Sequence, residues 1–200
     1  MAILRANNNT LSSVTALPAA IPTGSMVKLF SLTSNTSGVS EYDIDSTYIN
    51  STYDNYLIFY NATSATSSAR KLRIRFFESG TINDSADYWY MSHPHNGSTA
   101  YQSQAGASYI EASRNTNVHY GNGFGTSGNI YLCNVNQTNS PTFVIGQMWY
   151  AAAASGSQVG VNYSGGFDDG KNTATINGIR FFQDTDNIIM REFSIYGITK

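Results

Sequence analysis

Near its C-terminus the chain reads Arg191-Glu192-Phe193-Ser194-Ile195-Tyr196-Gly197-Ile198, an alternation of apolar and polar side chains running to within two residues of Lys200. A period of two puts one set of side chains on each face of a pleated strand. A helix would smear the same residues around its circumference. The same period recurs from Met26 onward with no amphipathic helical pattern to compete, and clusters of Gly, Asn, Ser and Asp separate the runs. Short alternating strands punctuated by turn residues predict an all-β chain, a jelly-roll-like antiparallel β-sandwich. The body is expected over 25–200, preceded by an extended arm over 1–24.

Strands are predicted over Met26 to Leu32, Val39 to Ile44, Tyr53 to Tyr60, Lys71 to Glu78 and Asp87 to Met91. Four more are predicted over Asn129 to Val135, Thr142 to Ala152, Thr175 to Gln183 and Met190 to Ile198. Tyr53 to Tyr60 is apolar on both faces, as a central strand requires. In the next run Leu72, Ile74 and Phe76 oppose Lys71, Arg73 and Arg75, the pattern of a half-solvated strand. Between Ser92 and Asn117 the periodicity is weak, with room for one strand around Tyr109.

Two hundred residues suit one sandwich core. Only 12% are charged, against roughly 25% in ordinary soluble domains, so solubility rests on amides and hydroxyls. A net charge of -2 supplies no field for nucleic acid or an anionic membrane, and neither partner is expected. Cys133 is the only cysteine, which rules out an internal disulfide and permits synthesis in a reducing cytoplasm. The opening residues lack the apolar run of a signal peptide, and no apolar run approaches the about 18 residues of a membrane span. The sequons at Asn50, Asn61 and Asn162 follow from composition and carry little weight without a secretory signal.

The arm is rich in Asn, Ser and Thr, is broken by Pro18 and Pro22, and offers only Ile3, Leu4, Leu11, Val14, Leu17 and Ile21 as apolar contacts. Such a segment cannot bury enough surface to fold alone. Those six residues are therefore the expected partner-binding set. In Asn129 to Val135, Ile130 and Leu132 share one face while Tyr131, Cys133 and Val135 share the other. Together with Trp149 and Tyr150 these form an expected subunit interface, because aromatic faces with few charges resemble those of oligomers. A cyclic homo-oligomer, a trimer in preference, is the expectation.

Constellations that could carry chemistry each have a plainer explanation. Gly121 to Gly128 would need a following helix to cradle phosphate, but a strand pattern follows. His93-Pro94-His95 and His119 lack a carboxylate or thiolate cluster to complete a zinc shell, and Gly165 to Gly170 lacks the acidic spacing of a calcium loop. Asp43 and Asp45 share a strand face, with Glu78 a distant partner for glycoside hydrolysis, yet charged residues on a solvated face account for all three. Arg73 and Arg75 form a basic strip with the same explanation. No catalytic residue, cofactor site or metal site is expected. The richest functional material is aromatic: fourteen tyrosines and two tryptophans that can fill a core, line an interface or stack on sugar rings.

The opening Ile3-Leu4-Arg5-Ala6-Asn7-Asn8-Asn9-Thr10-Leu11, continuing to Ile21, resembles the starts of structural proteins of tailed phages, particularly those of marine bacteria and cyanobacteria. Tyr53 to Tyr56, Leu72 to Phe76, Ile179 to Phe182 and Phe193 to Ile198 are similar to a sandwich module of virion proteins. The resemblance implies a non-enzymatic virion protein, made in the host cytoplasm, that decorates or cements a capsid. Its partner would be the major capsid protein or another virion protein. The alternative it implies is a head- or tail-fibre module that recognises a host surface glycan.

Overall fold

The computed structural model describes residues 26–33, 37–65, 70–95, 102–113, 125–137, 140–151, 158–167 and 175–199. The arm and its six apolar residues lie outside them, as do His119 and the 121–124 and 168–170 parts of the two glycine loops. Thirteen strands follow in order: β1 (Met26–Thr33), β2 (Glu41–Ile44), β3 (Asn55–Ser64), β4 (Leu72–Glu78), β5 (Thr81–Ile82), β6 (Tyr88–Pro94) and β7 (Gln102–Ala107). Then come β8 (Ile110–Glu111), β9 (Thr126–Cys133), β10 (Phe143–Ala151), β11 (Gln158–Phe167), β12 (Ile176–Gln183) and β13 (Ile188–Ile198).

They form an all-β sandwich of two antiparallel sheets. The large sheet runs β1-β13-β3-β9-β10-β11-β6-β7 and the small sheet β2-β12-β4-β5, with β8 also paired to β4. The terminal alternation becomes β13, held between β1 and β3 along nearly its whole length. The first three connections cross between the sheets, and ring contacts set β2 against β13 (Tyr42 with Phe193), β12 against β3 (Tyr60 with Phe181) and β4 against β11 (Phe76 with Phe167). Alternation then directs the core. Tyr56, Ile58 and Tyr60 of β3 and Ile130 and Leu132 of β9 point inward against Ile74 and Phe76 of β4 and Ile179 and Phe181 of β12. Aromatic pairs join the two layers, Tyr60 with Phe181 at 5.6 Å and Phe76 with Phe167 at 5.4 Å between centroids.

Two glycines make room for two tyrosines at the centre of this core. A Cβ on Gly146 would lie 2.2 Å from Tyr163 Cζ, and one on Gly128 would lie 2.6 Å from Tyr60 Oη. The two rings therefore lie over bare backbone, and their hydroxyls meet at 3.3 Å. Burial, with the Tyr60 hydroxyl beside it, holds the Tyr163 phenol well above its ordinary range.

Among its described residues, the region expected to hold one strand around Tyr109 holds β7 and β8, with Tyr109 in the bend between them. The short β5 and the whole of β11 were not expected. β11 escapes a propensity reading because Gly160, Gly165, Gly166, Asn162 and Ser164 dilute its Val, Tyr and Phe.

Candidate functional site

Charge is unevenly spread, and in the large sheet only β1 and β13 at one side carry charged residues, Lys28, Arg191 and Glu192. β3, β6, β7, β9, β10 and β11, six neighbouring strands of the large sheet, contain no Asp, Glu, Lys or Arg. β2, β4, β8 and β12 of the small sheet carry seven: Glu41, Asp43, Arg73, Arg75, Glu78, Glu111 and Arg180. Conversely, among the described residues the exposed large apolar side chains are Met26, Phe59, Trp89, Met91, Tyr131, Ile145 and Trp149, and register places all of them on the outer face of the large sheet. That face is the candidate site.

Cross-strand register arranges it in rows. Tyr196, Leu57, Tyr131, Ile145, Ser164 and Met91 follow one another across six strands, making a mostly apolar row. Beside it run Ser194, Phe59, Asn129, Gln147, Asn162 and His93, a row of amides closed by an imidazole. The side chains of Asn129, Gln147, Asn162 and His93 make no hydrogen bond among the described residues; Gln147, Asn162 and His93 are exposed and Asn129 is half-buried. The third row brings Asn61, Ser127, Trp149 and Gly160 together, with Asn61 Nδ2 donating to Ser127 Oγ at 3.2 Å.

Trp149 is 59% exposed and rests on Gly160. A Cβ built on Gly160 would lie 3.1 Å from both Cε2 and Cζ2 of the indole and 3.3 Å from Cη2. Distances so even mean that the ring covers the glycine with its face, not its edge. The opposite face of the indole is presented outward. An open depression of about 410 Å³ lies between Met91, His93, Ile145, Gln147, Asn162 and Ser164, and one of about 240 Å³ between Phe59, Asn61, Ser127, Glu192 and Ser194.

The small sheet is closed by contrast. Arg180 donates to Asp43 through Nε and Nη2, both at 2.7 Å, reaches Glu41 at 2.8 Å and covers Phe77. The hydrogen bonds to Asp43 raise the Arg180 pKa further. Arg73 stacks 4.0 Å above Tyr109 and pairs with the buried Glu111 at 3.6 Å, while Arg75 stacks on Phe182 and donates to the Ser108 carbonyl. The basic strip is thus engaged internally. The carboxylates weighed for hydrolysis also have structural tasks. Asp45 accepts from the Thr47 amide, which lowers its pKa, and Glu78 accepts from Asn83.

Of the expected interface residues, Tyr131, Cys133 and Trp149 lie on the outer face, Tyr131 44% exposed and Cys133 half-buried with its thiol pKa pushed up by that burial. Val135 and Tyr150 do not. β9 ends at Cys133, and Asn134 turns the backbone at φ 61°, so Val135 swings into the core. Tyr150 follows Trp149 on the pleat and points inward, its hydroxyl donating to the Ser113 carbonyl. His93 and His95 approach each other at 5.5 Å, and among the described residues no three His, Cys, Asp or Glu side chains gather as a metal site. Strand β9 begins at Thr126, directly after Gly125, where a phosphate loop would open a helix. Sequence reasoning missed the amide row itself. The signal for Gln147 was present in the alternation of β10, but Asn162 needed β11.

Compared with family models, with curated proteins and with solved structures, the chain matches none.

Proposed function

We propose that this chain is a non-enzymatic structural protein of a phage virion, a decoration or cement protein. Its arm grips a neighbouring virion protein while the sandwich is displayed outward. The observation that carries the reading is the segregation of charge: one face is closed by internal ion pairs, and the other exposes aromatic and amide groups as a contact surface. The alternation of early strands between the sheets, with β13 between β1 and β3, supports a jelly-roll body, an architecture common to capsid and lectin domains. The resemblance of Ile3 to Ile21 to phage structural proteins supplies the context.

Anchoring would come from burial of area. Half of the arm's apolar side chains, at roughly 1.5–3 kcal/mol each before ordering costs, gives several kcal/mol per copy. Replacing Leu11, Val14 and Leu17 together with Ser should release the protein from particles while the sandwich keeps its melting temperature. Undiminished occupancy in purified particles would refute the arm's role. Quantitative mass spectrometry of virions should count hundreds of copies for a shell protein; a handful would favour the second reading, a fibre module that recognises the host. That reading is favoured by the solvent-facing amide row beside Trp149.

A further inference from the structure

The outer face of the large sheet has features that a simple protein contact does not require. The amides of Asn129, Gln147 and Asn162 make no hydrogen bond among the described residues, six neighbouring strands carry no charged residue, and the most exposed aromatic ring lies flat. We propose that this face binds an uncharged oligosaccharide, laid across the strands over Phe59, Asn129, Gln147, Asn162 and His93, with a sugar ring stacked on Trp149.

Sugars present two chemistries at once, a patch of C–H groups on the ring face and hydroxyls around its edge. The first needs a flat aromatic surface, and the second needs groups that donate and accept together. Trp149 meets the first need. Its ring lies over Gly160, so one face is covered and the other is presented to a ligand before binding. Asn129, Gln147 and Asn162 meet the second, since each primary amide offers two donors and an acceptor. Neighbouring strands are about 4.8 Å apart, close to the length of one pyranose unit, so successive units meet equivalent positions on successive strands. The depression of about 410 Å³ beside Gln147 and Asn162 falls in the range of small-ligand sites, about 300–1,000 Å³. The absence of Lys and Arg from these strands selects against acidic glycans, which would otherwise gain from a cation. A protein partner would find an apolar row along Leu57, Tyr131 and Ile145, but the adjoining amides would lose water without an assigned partner.

The inference concerns the face alone and holds whether the body sits on a shell or a fibre. The test is binding of the full-length protein to immobilised neutral and acidic glycans, followed by titration with the neutral oligosaccharides that score, in 0.05 and 0.5 M salt. Binding to neutral glycans is expected, with affinity unchanged by salt. W149A should weaken it by at least about tenfold, and Q147A and N162A by about two- to tenfold each. G160A, which lifts the indole, should weaken it too, whereas T81A on β5 of the small sheet should leave it within about twofold. Thermal melting of each variant confirms folding. The proposal is overturned if no neutral glycan binds at millimolar concentration, if binding survives W149A, or if only acidic glycans bind and salt abolishes it. It is equally overturned if sedimentation shows an oligomer that W149A dissociates and that takes no sugar, since the face is then a self-interface.

Discussion

Replacing Gly146 with Ala tests the register on which every assignment of face depends. Gly146 points inward from β10, and its new methyl carbon would sit 2.2 Å from Tyr163 Cζ and 2.4 Å from its hydroxyl. Tyr163 cannot retreat, because its hydroxyl already meets that of Tyr60 at 3.3 Å, and Tyr60 is itself pressed against Gly128. Overpacking of this kind costs about 1–3 kcal/mol, and the displaced hydroxyl pair adds about 0.5–1.5 kcal/mol. The Ala side chain offsets about 0.4–1 kcal/mol by stiffening the unfolded chain. The net cost is about 0.5–4 kcal/mol, centred near about 2 kcal/mol. For a chain of this size each kcal/mol shifts Tm by about 2–4 °C, so the central value lowers the melting temperature of G146A by roughly 4–8 °C in calorimetry. Tyr163→Leu in the same background removes the clash, so in a double-mutant cycle the cost of G146A should be smaller there than alone. A G146A protein that melts at or above the parent temperature would refute the inward register. With it would go the outward placement of Trp149, three residues on, since a one-residue slip exchanges the faces.

Three further outcomes follow from the same geometry. R180A loses the two-pronged contact to Asp43 and the bond to Glu41 and should cost about 1–2 kcal/mol in urea melts. R180K should recover less than half of that, because an ammonium cannot reproduce the fork; full recovery would argue against it. From neutral pH stability should be level up to about pH 10 and then fall, because burial raises the Tyr90 pKa to about 12 and raises those of Tyr56, Tyr88 and Tyr163 as well. Above the ordinary phenol pKa the unfolded chain releases protons that the folded chain retains, so folding weakens until the folded groups titrate too. Y90F should make the decline between pH 10 and 12 shallower by up to about 1.4 kcal/mol per pH unit; an unchanged slope in denaturation at each pH would count against it. Cys133 should react slowly with a thiol reagent at neutral pH, since burial disfavours its thiolate, and rapid labelling of the folded protein would contradict that.

The amino-acid sequence alone determined that the described body is all-β and which residues make most of its core, because alternation is a local property. Leu72, Ile74 and Phe76 against Arg73 and Arg75 can be read without knowing what they pack on. The same arithmetic set Tyr131 on the face away from Ile130 and Leu132, but the expected interface joined Trp149 to Tyr150, neighbours that the pleat sends to opposite faces. It failed where the answer depends on a partner strand or a change of backbone direction. Val135 continues the alternation of β9 on paper, but Asn134 turns the chain first. β11 is a central strand in which glycine is needed where Trp149 and Phe143 cover it and where Ile110 crowds Gly165, so its own residues look like a loop. Only the tertiary structure, by setting β11 between β10 and β6, brought Asn162 beside Gln147 and gathered the uncharged strands into one sheet. Which strands become neighbours is decided by long-range pairing and the closing of a shared core, and neither leaves a mark in any short stretch of residues.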